Sequence, residues 1–180
     1  PIFFANLAVP LVGIIDTSLM GNLEELSYLS ATSIAANLFS MIFWSFGFLR
    51  MGTVGMVSQA YAQDNYNEIT NILLRNLFFV FCLSIILIIL QNLLLLISLK
   101  IFTLSSDTSE LFRQYFKIRI YSAPAELTIY IITGLFVGLQ KTKISSLVVG
   151  FFSILNIILS IIFVIKYDFN IKGVAYGTLI

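Results

Sequence analysis

Two runs without a single charged residue, Leu77 to Leu99 and Leu147 to Ile165, limit what this chain can become. Each is long enough to cross a hydrocarbon core of about 30 Å as a helix, which takes about 20 residues. Neither alternates at every second residue as a transmembrane barrel strand does. Composition points the same way: 59% of the 180 residues are hydrophobic and 11% charged, with a mean hydropathy of +1.00, against about 25% charged in soluble domains. The expected fold class is all-α integral membrane, and the expected location is the cell (inner or plasma) membrane, crossed several times, with the lipid bilayer as the first partner.

With 10 Lys+Arg against 9 Asp+Glu and no His, the chain offers no basic face for nucleic acid. Cys82 stands alone in an apolar run and permits no internal disulfide. The sequence opens at Pro1 without an initiator methionine or basic leader and stops at Ile180 in an apolar stretch. That reads as a piece of a longer protein, inserted by its helices rather than by a signal peptide.

Breaks in hydrophobicity divide the chain into about six transmembrane helices, with boundaries good to a few residues. The first runs from Pro1 to Met20 and stops at Gly21-Asn22. The second covers Leu26 to Ala62, the third Ile69 to Ile101. The fourth begins in "TLSSDTSE", with Ser106 or Asp107 as N-cap, and continues to Gln140, its first turns ("ELFRQYFKIR") amphipathic and expected outside the hydrocarbon. The fifth covers Ile144 to Lys166, and a sixth starts after "YDFNIKG". Charge gives an ambiguous topology. Lys100, Arg113, Lys117, Arg119, Lys166 and Lys172 on one side outnumber Arg75, Lys141 and Lys143 on the other, yet the tightest basic turn, "QKTK", lies on the second.

Polar residues inside this bundle fall in stripes when placed at about 100° per residue. The fifth helix aligns Ser146, Gly150, Ser153, Asn156 and Ser160; the second aligns Ser33, Asn37, Ser40, Trp44, Gly47, Met51, Gly55 and Ser58. The first aligns Asn6, Gly13 and Met20 with Asp16 at the edge, and the fourth aligns Ser122, Glu126, Tyr130, Thr133 and Gln140. Small residues let helices approach closely, so Gly134-xxx-Gly138 and Gly173-xxx-Gly177 read as packing seams. Carboxylates are not needed in a seam, and a charge at bilayer depth costs at least about 2.5 kcal/mol. Asp16, Glu126, Asn156 and Ser160 fall at similar depth in an up-and-down arrangement and define one polar site; Asn37, Ser40, Trp44, Tyr130, Thr133, Ser153 and Asn6 would line a wet cavity. A buried carboxylate can take up and release a proton; with neutral oxygen donors nearby it can instead hold Na+, a hard cation suited to oxygen ligands. Glu126 has an alternative: an ion pair with Arg119, two turns earlier on the same face. Arg50 either snorkels to the interface or pairs with backbone carbonyls, or else acts as a gate-side contact. Pro10 and Pro124 lack a backbone donor and are expected to bend the first and fourth helices near the two acids, as Pro1 is at the start of the first.

"PLVGIIDTSLMGNL", "FLRMGTVGMVSQA", "IRIYSAPAELTIYIITGLFVGLQ" and "NIILSIIFV" together resemble the multidrug and toxic compound extrusion (MATE) family, DinF-like branch, over the whole chain. The resemblance implies twelve helices in two lobes, this chain corresponding to the N-terminal lobe with the C-terminal lobe of the same protein as its partner. It implies a secondary active antiporter exporting organic, often cationic, compounds, driven by H+ or Na+, with no cofactor and with the N-terminus cytoplasmic. Asp16 matches the family's first-helix coupling aspartate, Pro1 the proline upstream of it, and Asn156 the fifth-helix asparagine. The chain departs from the branch pattern at Ser160, where an aspartate is usual, and at Glu126, where a small or neutral residue is usual. Glu126 is therefore expected to substitute for the missing acid, forming a coupled pair with Asp16. Two other functions compete. A flippase for lipid-linked saccharide would want a more cationic cavity, and a membrane-embedded enzyme is disfavoured by the lack of His, of a Cys pair and of a metal-ligand cluster.

Overall fold

The computed structural model describes the backbone of residues 2–21, 26–167 and 169–179, and side chains from residue 12 onward within those segments, residue 26 excepted. Among the described residues every regular element is helical. The helices are α1 (Ile2–Gly21), α2 (Leu26–Ser45), α3 (Phe48–Ala62), α4 (Tyr66–Ile89), α5 (Gln91–Ile101), α6 (Ser106–Arg119), α7 (Ala123–Gly138), α8 (Thr142–Ile161) and α9 (Asn170–Leu179). They group into the six rods that hydropathy outlines, with three rods interrupted. Ser27–Ala62, Tyr66–Ile89, Ser106–Gly138 and Thr142–Lys166 are each long and apolar enough to cross a membrane.

The interruptions have local causes. Between α2 and α3 the bonds Phe46 N–H to Phe43 C=O (2.9 Å), Gly47 N–H to Trp44 C=O (2.9 Å) and Leu49 N–H to Phe46 C=O (3.0 Å) shorten the repeat to i→i−3 at a glycine. Across Leu90 the α-type bonds Leu90 to Ile86 (2.9 Å) and Leu94 to Leu90 (3.0 Å) continue, so α4 and α5 are nearly one helix. The break between α6 and α7 is set by Pro124. Its missing N–H leaves Ile120 C=O without an i+4 donor, and the Ala123 N–H takes that carbonyl instead, giving a 3₁₀ turn over Ile120–Ser122. The N-cap of α6 is Ser105 rather than Ser106 or Asp107: Ser105 is extended and its side chain accepts from the Thr108 N–H at 3.4 Å, while the other two are already helical. A π-turn over Ile162–Lys166 ends α8.

The helix pair with the most extensive packing is α3 with α7. A Cβ on Gly134 would stand 2.9 Å from the Arg50 carbonyl oxygen, and one on Gly138 2.8 Å from Val57. Gly177 faces Ser160 of α8 at 2.5 Å in the same sense, and Gly173 faces Phe163 at 3.0 Å. Both glycine pairs are the close seams their spacing suggests. Asn76 of α4 donates to Thr53 of α3 at 3.0 Å, a polar tie in the same layer. Asn76→Ala should lower stability by about 0.6 kcal/mol and at most about 1.7 kcal/mol, the range of interhelical hydrogen bonds in membranes, measured as a shift in the unfolding midpoint in detergent.

The segment "ELFRQYFKIR" is amphipathic as expected, but its apolar side enters the main core. Phe112, Tyr115 and Phe116 are buried, and Phe116 packs on Phe39 of α2 with ring centroids 5.0 Å apart. Arg119 is buried as well, which removes it from any tally of loop charges. On the outer faces of α4 and α8, Phe78 (70%), Leu147 (71%) and Phe151 (64%) stand exposed, as lipid-facing side chains do.

Candidate functional site

A cavity of about 650 Å³ lies between α1, α2, α6, α7, α8 and α9. Its polar wall is made by Asp16, Ser40, Arg119, Glu126, Ser153 and Asn156; Phe39, Tyr115, Pro124 and Phe152 supply apolar and aromatic surface. Asp16, Glu126 and Asn156, inferred to share one depth, therefore face one space.

Asp16 comes from α1, which packs along α8, the helix that carries Asn156 and Ser160. It is only 7% exposed. Arg119 lines the same cavity as this carboxylate. Asp16 Oδ1, Asn156 Oδ1 and Ser160 Oγ are all buried without a hydrogen-bond partner among the described residues. Buried polar atoms left this way are costly, about 1–3 kcal/mol each. Three orphaned oxygens, one of them anionic, suit a proton or a hard monovalent cation. Gly177 closes the site from behind, since only a residue without Cβ lets α9 lie against Ser160.

Glu126 is engaged differently. Its Oε1 accepts from Arg119 Nη2 at 2.7 Å, so the ion pair and the shared cavity with Asp16 are both realised. Arg119 Nη1 donates to Ser122 Oγ, and that hydroxyl donates to the Arg119 carbonyl at 2.7 Å. The guanidinium carbon lies 5.6 Å from the Phe39 ring centroid and 5.4 Å from that of Phe43. The Pro124 turn makes this possible: it brings the end of α6 and the first turn of α7 to the same wall.

The remaining expected residues are distributed as follows. Ser40 and Ser153 line the cavity, and Pro124 is at its wall. Ser160 is fully buried behind the lining. Asn37 is exposed and Trp44 is 82% exposed, and neither lines the cavity. Tyr130 is half-buried outside the lining, and the Thr133 hydroxyl is taken up by the Ile129 carbonyl at 2.7 Å. Arg50 is half-buried on α3, away from the cavity, and its backbone forms the Gly134 seam. Pro1 and the side chains of Asn6 and Pro10 lie outside the described residues; the α1 backbone is helical through position 10. The Arg119–Glu126 pairing was legible from their seven-residue spacing on one face; what sequence reading missed is that Arg119 lines the cavity and sits on a platform of Phe39 and Phe43.

A helical membrane lobe with close glycine seams and a charged pocket at depth suits a membrane transporter. The MatE family model matches residues 1–162, so the chain belongs to the MatE family, whose members are multi-pass membrane transporters rather than enzymes. It is 32% identical to DNA damage-inducible protein F of Escherichia coli (strain K12) over its whole length, covering 39% of that protein. Its fold is similar to that of a MATE multidrug resistance transporter solved in an outward-facing conformation (TM-score 0.85, 20% identity, 97% of this chain and 39% of that one). It is equally similar to that of a MOP superfamily transporter from Pyrococcus furiosus (TM-score 0.85, 20% identity, 97% and 38%). The chain thus spans about 39% of the length of the curated relative it matches.

Proposed function

We propose that this chain is the N-terminal lobe of a cation-coupled antiporter that exports organic, cationic small molecules, with Asp16 as the residue that takes up the coupling ion, H+ or Na+. The observation that carries this reading is the set of orphaned oxygens on Asp16, Asn156 and Ser160 beside the cavity. With H+ as the ion, Asp16 holds it directly. With Na+, the Asp16 carboxylate supplies the charge and Asn156 and Ser160 the neutral oxygens. Filling this site neutralises a buried charge, which alters the balance between the two orientations of a rocking lobe. The organic cation would compete for the same negative cavity.

The ionisable side chains Asp16, Glu126 and Arg119 sum to a net negative wall among the described residues. That sign favours a cationic substrate over the phosphate of a lipid-linked saccharide. The test is export of a dye cation from liposomes holding the full-length protein, under an imposed pH gradient and separately under an imposed Na+ gradient. Export driven by one gradient and lost in D16N supports the reading; equal export in D16N contradicts it.

A further inference from the structure

Arg119 has no place in that mechanism, yet it is the buried cation of the cavity wall, held at three points: Ser122 Oγ, Glu126 Oε1 and the faces of Phe39 and Phe43. A guanidinium without its carboxylate partner in such a place is strongly unfavourable. Its partner here is Glu126, and the other carboxylate lining the same cavity is Asp16.

We infer that Arg119 is a tethered counter-cation that occupies Glu126 and leaves Asp16 alone to exchange an ion, so that this lobe exchanges one charge rather than two. The inference rests on the proposed coupling role of Asp16. Two carboxylates on one cavity would otherwise take up two cations, or hold one between them as a coupled pair. With the guanidinium pinned at 2.7 Å to Glu126, the acid on α7 is already neutralised by the chain itself. Arg119 is thus a positioning residue: it sets how many ions the site exchanges without touching the ion. The arrangement also makes Glu126 necessary for an unexpected reason. Without it the guanidinium would turn to the remaining carboxylate, Asp16, and exclude the coupling ion.

The experiment uses full-length protein in liposomes, driven by whichever gradient drives the wild type, with detergent unfolding midpoints measured alongside. E126Q should cut gradient-driven export by about tenfold or more, whereas R119Q/E126Q, which removes both members of the pair and keeps the net charge, should return export to within about threefold of wild type. R119Q alone should raise the number of coupling ions per substrate at the reversal gradient, and R119K should keep the wild-type ratio. Export by E126Q at the wild-type rate overturns the inference, as does a folded double variant no better than E126Q. An R119Q ratio equal to that of wild type overturns it too, and needs no double variant. D16N separates this inference from the reading it rests on: normal export by D16N contradicts the role of Asp16, while inactive D16N with normal E126Q contradicts only the counter-cation.

Discussion

Asp16→Asn in the full-length protein should reduce gradient-driven export by about fivefold to 150-fold, the span of typical coupling free energies of about 1–3 kcal/mol. Stability should not fall with it. The wild-type carboxylate is buried with Oδ1 unpartnered among the described residues, and a neutral amide of the same shape carries a smaller desolvation cost. An unfolding midpoint at or above that of wild type, together with lost export, would mark a residue kept for function at the expense of stability. A lowered midpoint would instead point to a structural Asp16. Substitution at Asn156 or Ser160 should have smaller effects, because each supplies one neutral oxygen to a charge that remains.

The largest structural effect is expected from Gly134→Ala/Gly138→Ala. Each added Cβ would fall within 3 Å of α3, at the Arg50 carbonyl and Thr53 on one turn and at Val57 on the next. A backbone oxygen cannot rotate away, so α3 and α7 must separate along their seam. Overpacking costs about 1–3 kcal/mol per site, and because one separation of the seam relieves both sites the pair should lose more than either single variant but less than their sum, at most about 6 kcal/mol. The readout is the unfolding midpoint in detergent, with the single variants for comparison. Two midpoints within experimental error of wild type would show that the seam is not as tight as the Arg50–Gly134 distance requires. Because α7 also carries Glu126, folded survivors should show weakened export.

Much of this was legible in the residues. Six rods follow from hydropathy because a bilayer tolerates almost nothing else, and Gly134 and Gly138 announce a seam because their spacing repeats on one helical face. Asp16 stands out by the cost of a charge in an apolar run. The subdivisions were less legible. The 3₁₀ turn depends on which carbonyl Pro124 deprives, and sequence gives the proline but not the neighbour that takes up Ile120 C=O. Arg119 was read with the loop charges because amphipathicity alone does not say whether an apolar face meets lipid, water or protein; here it meets Phe39 and Phe43. The stripe holding Asn37 and Trp44 illustrates the same limit. Periodicity groups these residues on one face with Ser40, yet of the three only Ser40 lines the cavity, while Asn37 and Trp44 stand exposed.

The central claim is that Asp16 exchanges one ion when the organic cation binds. It is tested most directly by counting ions at equilibrium: protons released into weakly buffered detergent solution, or radioactive Na+ displaced, when a saturating organic cation is added to the full-length protein. The account predicts that wild type releases about one ion more per molecule than D16N, since one carboxylate is free to exchange. Equal release by the two proteins would contradict it.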